Sequence, residues 1–120
     1  MHADATIHSQ PAQTRNLTPC YQFLTEDRYA QAEPILDALR RSCQAMNMPV
    51  RSMEIEMGPS QFEFTFDPAD PLTHADNMMM FRAMVKEVCA ACGLHATFMC
   101  RPNLENAAAS GWHLHQSLVD

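Results

Sequence analysis

Met53–Phe66 reads MEIEMGPSQFEFTF, two alternating runs on either side of Gly58-Pro59-Ser60. In the first run Glu54 and Glu56 sit between Met53, Ile55 and Met57; in the second, Gln61, Glu63 and Thr65 sit between Phe62, Phe64 and Phe66. Side chains of a strand point to opposite faces in turn, so each run has one apolar and one polar face. The Gly-Pro-Ser triplet is a turn signal, and the pattern predicts a hairpin of strands over 50–57 and 61–66. Glu56 and Glu63 flank the turn, so both carboxylates point to one side. Adjacent carboxylates repel unless a proton or a cation lies between them. Either glutamate taken singly also suits an ordinary solvated sheet face.

Upstream, residues 29–46 carry Ile35, Leu36, Leu39, Cys43 and Met46 at helical spacing. Thr25 or Asp27 can cap this helix, Pro34 is tolerated in its first turns or marks its true start, and Asn47-Met48-Pro49 ends it. Pro19–Leu24 has strand composition, and residues 1–17 are polar and aperiodic, a disordered leader. Downstream, Asp67–Pro71 is a loop rich in breakers, and Thr73-x-x-Asp76 resembles a capping box. The helix expected over 75–92 turns Met78, Phe81, Met84, Val85, Val88, Cys89 and Cys92 inward, and Gly93 stops it in a left-handed conformation. Strands are expected over 95–99 and 112–118, with a loop over 101–110. The order strand, helix, strand, strand, helix, strand, plus one added strand, predicts an α+β fold. It is a mostly antiparallel sheet of split βαβ type, with both helices on one face.

The last strand, within GWHLHQSL (Gly111–Leu118), puts His113, His115 and Ser117 on one face and Trp112, Leu114 and Leu118 on the other. Glu56, Glu63 and His113 then form an oxygen-rich set with one nitrogen, which suits Mg²⁺ or Mn²⁺ better than a structural Zn²⁺ site built of thiolates. Cys89-x-x-Cys92 falls on the inner stripe of a helix and reads as core packing. His74, His95 and Arg101 read as surface or capping residues. The net charge of −6 argues against a nucleic-acid face, and no apolar run is long enough for a membrane span. Five scattered cysteines fit a reduced, cytosolic protein.

EIEMGPSQFEFTF, ADPLTHADNMMMFRAMVKEVCAACGLHATFMCRP and SGWHLHQSL, in that order, resemble the middle of the catalytic domain of the glutamine synthetase family, over about residues 19–118. The resemblance implies that Glu56 and Glu63 bind one divalent metal (Mg²⁺ or Mn²⁺), that His113 binds a second, and that His115 and Ser117 contact the nucleotide. It implies an ATP-dependent carboxylate–amine ligase working through an acyl phosphate on small molecules: ATP, glutamate or a related acid, and ammonia or an amine. It further implies a cytoplasmic homo-oligomer without nucleic-acid or membrane partners. Where the family usually carries Asn-Gly to hold glutamate, Ala108-Ala109 stands, which points to another amine or acid; Ile55 stands where a His is common. The family's upstream Glu-x-Glu strand, downstream Arg- and Glu-bearing strands and small N-terminal domain have no counterpart here. The chain is therefore expected to be part of a catalytic domain, residues 18–120, that does not turn over by itself. The alternatives are a ferredoxin-like module that binds metal or nucleotide weakly or self-associates and, ranked lower, a metal-dependent hydrolase.

Overall fold

The alternation of Met53–Phe66 is realised as a hairpin. In the computed structural model, which describes residues 14–19, 21 and 23–118, β1 (Val50–Ile55) pairs antiparallel with β2 (Phe62–Phe66). Glu54 stands opposite Glu63, Met53 opposite Phe64, Ile55 opposite Phe62 and Ser52 opposite Thr65. The turn is closed by the Gln61 N–H, which donates to the Gly58 carbonyl at 3.1 Å. Pro59 follows Gly58 and Ser60 is left-handed (φ 57°), the residue pattern of a type II turn. That conformation is strained for serine, and reciprocal bonds to buried Thr18 offset the strain. The Ser60 N–H donates to Thr18 Oγ1 at 3.0 Å and the Thr18 N–H donates to Ser60 Oγ at 2.9 Å.

Two helices cover the apolar face of the hairpin. α1 (Glu26–Ala45) buries Ala32, Ile35, Leu36, Leu39 and Cys43; α2 (Pro71–Ala91) buries Phe81, Met84, Val85 and Cys89. Leu36 and Ala32 pack with Ile55 against Met53, Phe62 and Phe64. Ile35, Leu39 and Cys43 meet the buried face of α2, with Val50, Phe64 and Phe66 from the hairpin. Phe81 is the hub: its ring lies edge-on to Phe64 at 5.1 Å, Phe66 at 5.3 Å and Phe98 at 6.0 Å between centroids. The architecture is α+β, with an antiparallel sheet and both helices on its dry side.

The helix ends obey local chemistry. In each, the residue after the C-cap is left-handed, Asn47 (φ 54°) and Gly93 (φ 72°), and the next N–H reaches back into the last turn. Met48 N–H donates to the Cys43 carbonyl at 2.9 Å and Leu94 N–H to the Cys89 carbonyl at 2.8 Å, the Schellman arrangement. α2 starts earlier than the expected capping box. Asp70 caps it, accepting from the Thr73 N–H at 3.0 Å, with Pro71 in the first turn where its missing N–H costs nothing. α1 likewise starts before its expected boundary, and Pro34 lies inside it on the exposed side, where water can reach the carbonyl it leaves free. Met46 and Cys92 end their stripes exposed rather than buried.

Three expected strands are not formed among the described residues. Strand is a pairing state, and composition alone does not create a partner. The segment 95–99 keeps the alternation, with Leu94, Ala96 and Phe98 packed on the core and His95, Thr97 and Met99 exposed, but makes no ladder. Residues 111–118 are exposed throughout, and a left-handed Trp112 (φ 50°) breaks the extended run. In the segment 19–24, Cys20 and Gln22 lie outside the described residues; the others are irregular, with the Leu24 N–H donating to the Ile55 carbonyl at 3.1 Å. Of the expected leader, residues 1–13 lie outside the described residues and 14–17 form no helix or strand.

Candidate functional site

The wet face of the hairpin carries Ser52, Glu54, Glu56, Gln61, Glu63 and Thr65, since their neighbours in sequence face the core. Glu56 lies just beyond β1, its N–H donating to the Gln61 carbonyl at 3.0 Å, so the hairpin continues to the turn. Its carboxylate is steadied by the Met57 N–H, which donates to Oε2 at 3.0 Å. Ser52 donates to Glu54 Oε1 at 2.6 Å and shares a hydrogen bond with Thr65 across the strands. Glu54 is thereby held by a neutral hydroxyl, while Glu56 and Glu63 meet each other.

That meeting governs the electrostatics. Glu63 is held above the usual carboxylate range, first by a hydrogen bond shared with Glu56, then by burial, then by the charges of Glu56 and Glu54; His113 acts in the opposite sense. Two carboxylates this close repel one another unless a proton or a divalent cation lies between them. The donor set is of hard oxygens, which fits Mg²⁺ or Mn²⁺.

His113 makes no ladder pair with the hairpin, and its charge is the smallest of the influences on Glu63. Its ring folds back over Gly111, where any Cβ would overlap it. Among the described residues, no three His, Cys, Asp or Glu side chains stand together as a metal-ligand group; Glu56 and Glu63 converge, and His113 remains outside the pair. His115 and Ser117 are exposed on the segment that follows, without the common strand face expected of them.

Contacts of the 107–112 segment were not foreseen from the sequence. Ala107 is buried, and a Cβ on Gly58 would come within 3.0 Å of the Ala108 nitrogen. Gln61 Nε2 donates to the Ala109 carbonyl at 3.3 Å, and Gln61 Oε1 accepts from the Gly58 N–H at 2.9 Å. The Arg82 guanidinium lies over Phe98 at 5.0 Å and over Trp112 at 5.3 Å. Small residues in a row were the available signal for close backbone approach at 107–109. Cys89 is buried and its thiol is pushed up, chiefly by burial and then by Cys92; a thiol kept protonated is a poor ligand or nucleophile.

Comparison with known proteins identifies the family. The chain is 40% identical over 115 residues to a γ-glutamylanilide synthase of Acinetobacter sp, a match covering 95% of the chain and 23% of that enzyme. It is 31% identical to a glutamate–isopropylamine ligase of Pseudomonas sp, over 84% of the chain and 21% of that enzyme. A solved structure titled "Apo GmaS without ligand" superposes with a TM-score of 0.70 at 27% identity, covering 86% of this chain and 23% of that one. The chain thus spans about a quarter of the length of these relatives. A family profile described as "Glutamine synthetase, catalytic domain" matches residues 3–120, and the chain belongs to that family.

Proposed function

We propose that this chain forms the metal- and nucleotide-facing part of an ATP-dependent carboxylate–amine ligase that joins glutamate or a related acid to ammonia or, by preference, an organic amine. The observation that carries the reading is the Glu56–Glu63 pair on the solvent face of a hairpin in a chain of this family. The names of its relatives, an anilide synthase and an isopropylamine ligase, support an organic amine as acceptor.

Glu56 and Glu63 would hold Mg²⁺ or Mn²⁺ between their carboxylates, relieving their mutual repulsion. His113 would supply a nitrogen ligand from the neighbouring segment, and His115 and Ser117 would face the nucleotide. The bound ion supplies neutralisation of charge on the transferred phosphoryl group. The substrate carboxylate attacks the γ-phosphoryl of ATP, giving an acyl phosphate and ADP; the amine then displaces phosphate and loses a proton. The chain's part in this is to hold charge and orientation at the phosphates.

Among the described residues four cysteines are free, two buried and two exposed, which supports a reducing, cytoplasmic setting. No helix among the described residues is long and apolar enough to cross a membrane. Exposed Leu72, Met79, Leu114 and Leu118 support self-association, as the resemblance implies.

Calorimetric titration of the 120-residue chain with Mn²⁺ and then ATP tests the reading. Heat is expected from both, with no ligase turnover, and Glu63→Gln should weaken Mn²⁺ by about tenfold or more. Silence in both titrations would overturn the reading in favour of a non-binding α+β module.

A further inference from the structure

Gln61 touches three parts of the molecule at once. Its main chain bonds to Glu56, accepting from the Glu56 N–H at 3.0 Å, and closes the turn on the Gly58 carbonyl at 3.1 Å. Its amide oxygen accepts from the Gly58 N–H at 2.9 Å, which fixes the side chain over the turn. Its amide nitrogen then donates to the Ala109 carbonyl at 3.3 Å, forty-eight residues away. The same approach brings Gly58 against Ala108 so closely that a Cβ there would lie 3.1 Å from the Ala108 methyl carbon. Only Ser110, Gly111 and Trp112 separate Ala109 from His113, and Trp112 is itself fixed beneath Arg82. His113 directly follows Trp112, so the bond at Ala109 and the stack at Trp112 fix the chain just ahead of it.

We propose that Gln61 is a positioning residue: by tying the Glu56–Glu63 turn to the Ala109 carbonyl, it sets where His113 stands relative to the two carboxylates. Gln61 itself contributes no ligand. Its amide offers the acceptor and donor that the turn and the loop need, an asymmetry that a carboxylate or an aliphatic side chain lacks. This role rests on the metal reading above for its functional consequence, but not for its geometry.

The experiment compares the wild type, Gln61→Leu, His113→Ala and the double variant in two measurements. Mn²⁺ affinity, read from the free-ion electron paramagnetic resonance signal, should fall about tenfold in Gln61→Leu, the usual effect of losing a group that orients a ligand. His113→Ala should then cost nothing more in the Gln61→Leu background, because His113 is already displaced. Multiplying effects, or wild-type affinity in Gln61→Leu, would overturn the role. The second measurement is the nuclear Overhauser contact between Gly58 Hα and the Ala108 methyl. It should vanish in Gln61→Leu while cross-strand contacts between residues 54 and 63 persist. Its survival would refute the tie even if no Mn²⁺ bound to any of the four chains. A wild type that binds no Mn²⁺ but loses this contact on substitution would instead overturn the metal reading and leave the tie standing.

Discussion

Phe81→Ala should remove much of what holds the hairpin to the helices. The ring is 4% exposed and meets three other rings edge-on, at 5.1, 5.3 and 6.0 Å between centroids. Truncating a buried Phe to Ala costs about 3–5 kcal/mol, from lost transfer free energy and the cavity left behind. Three aromatic partners, each adding about 0.5–1.5 kcal/mol beyond burial, place this site at the upper end of that range. A chain of this size is held by about 5–15 kcal/mol in all, so a loss of about 5 kcal/mol removes roughly a third or more of the stability. Urea denaturation followed by circular dichroism gives the difference directly. Phe81→Leu, which keeps most of the volume but none of the edge-to-face geometry, should fall well short of that loss. A Phe81→Ala loss below about 1.5 kcal/mol, within the range of volume-conserving swaps, would refute the assignment of Phe81 as hub. So would Phe81→Leu matching Phe81→Ala.

Glu63 sits above its ordinary range beside Glu56, so its contribution to stability is present below about pH 4.5 and is lost as pH rises through its folded-state value. In metal-free buffer Glu63→Gln should therefore match the wild type in acid and exceed it near pH 7; a thermal melt series showing the gap widening toward acid would contradict this sign. Cys89→Ala should lower the urea midpoint while Cys92→Ala leaves it nearly unchanged, because the first thiol is buried and the second exposed. A disulfide-exchange reagent on the folded chain should modify Cys92 and Cys100 well before Cys43 and Cys89, and equal rates would count against the burial. Gly111→Ala should leave unfolding within about 0.5 kcal/mol of wild type, since only the end of a side chain must turn away. It should nonetheless displace the His113 ring, visible as a shift of its imidazole proton resonances; unchanged resonances would show that the ring does not lie over Gly111.

The hairpin was legible from period-two alternation on both sides of a Gly-Pro-Ser turn; its register sets Glu63 opposite Glu54 and diagonal to Glu56, and the irregularity between Val50 and Ser52 left no sign in the pattern. The helices were legible from their stripes and from Gly93, though not their starts. Asp70 with Pro71 was a stronger start than Thr73-x-x-Asp76, and a loop full of breakers hid it. The strands over 95–99 and 112–118 failed for a different reason. Alternation records which side chains face the core, and residues 94–98 do alternate, but a ladder needs a neighbour, which a local pattern does not contain. His113 stays outside the carboxylate pair, its ring folded back over Gly111, and the face it shares with His115 and Ser117 in an ideal strand is lost at Trp112. The Gln61–Ala109 bond and the Arg82–Trp112 stack join residues far apart in the chain and left no local trace.

The hairpin divides its labour by parity. From Ser52 onward, odd-numbered Met53 and Ile55, with even-numbered Phe62, Phe64 and Phe66, anchor the ribbon to its helices, and the alternate positions face away; a register shift between Val50 and Ser52 returns Val50 to the core. Exchanges at Glu54 or Thr65 can therefore retune the chemistry of one side while the scaffold on the other is untouched. Relatives named as a γ-glutamylanilide synthase and a glutamate–isopropylamine ligase would gain from such a platform, whose wet side can drift without loosening its foundations.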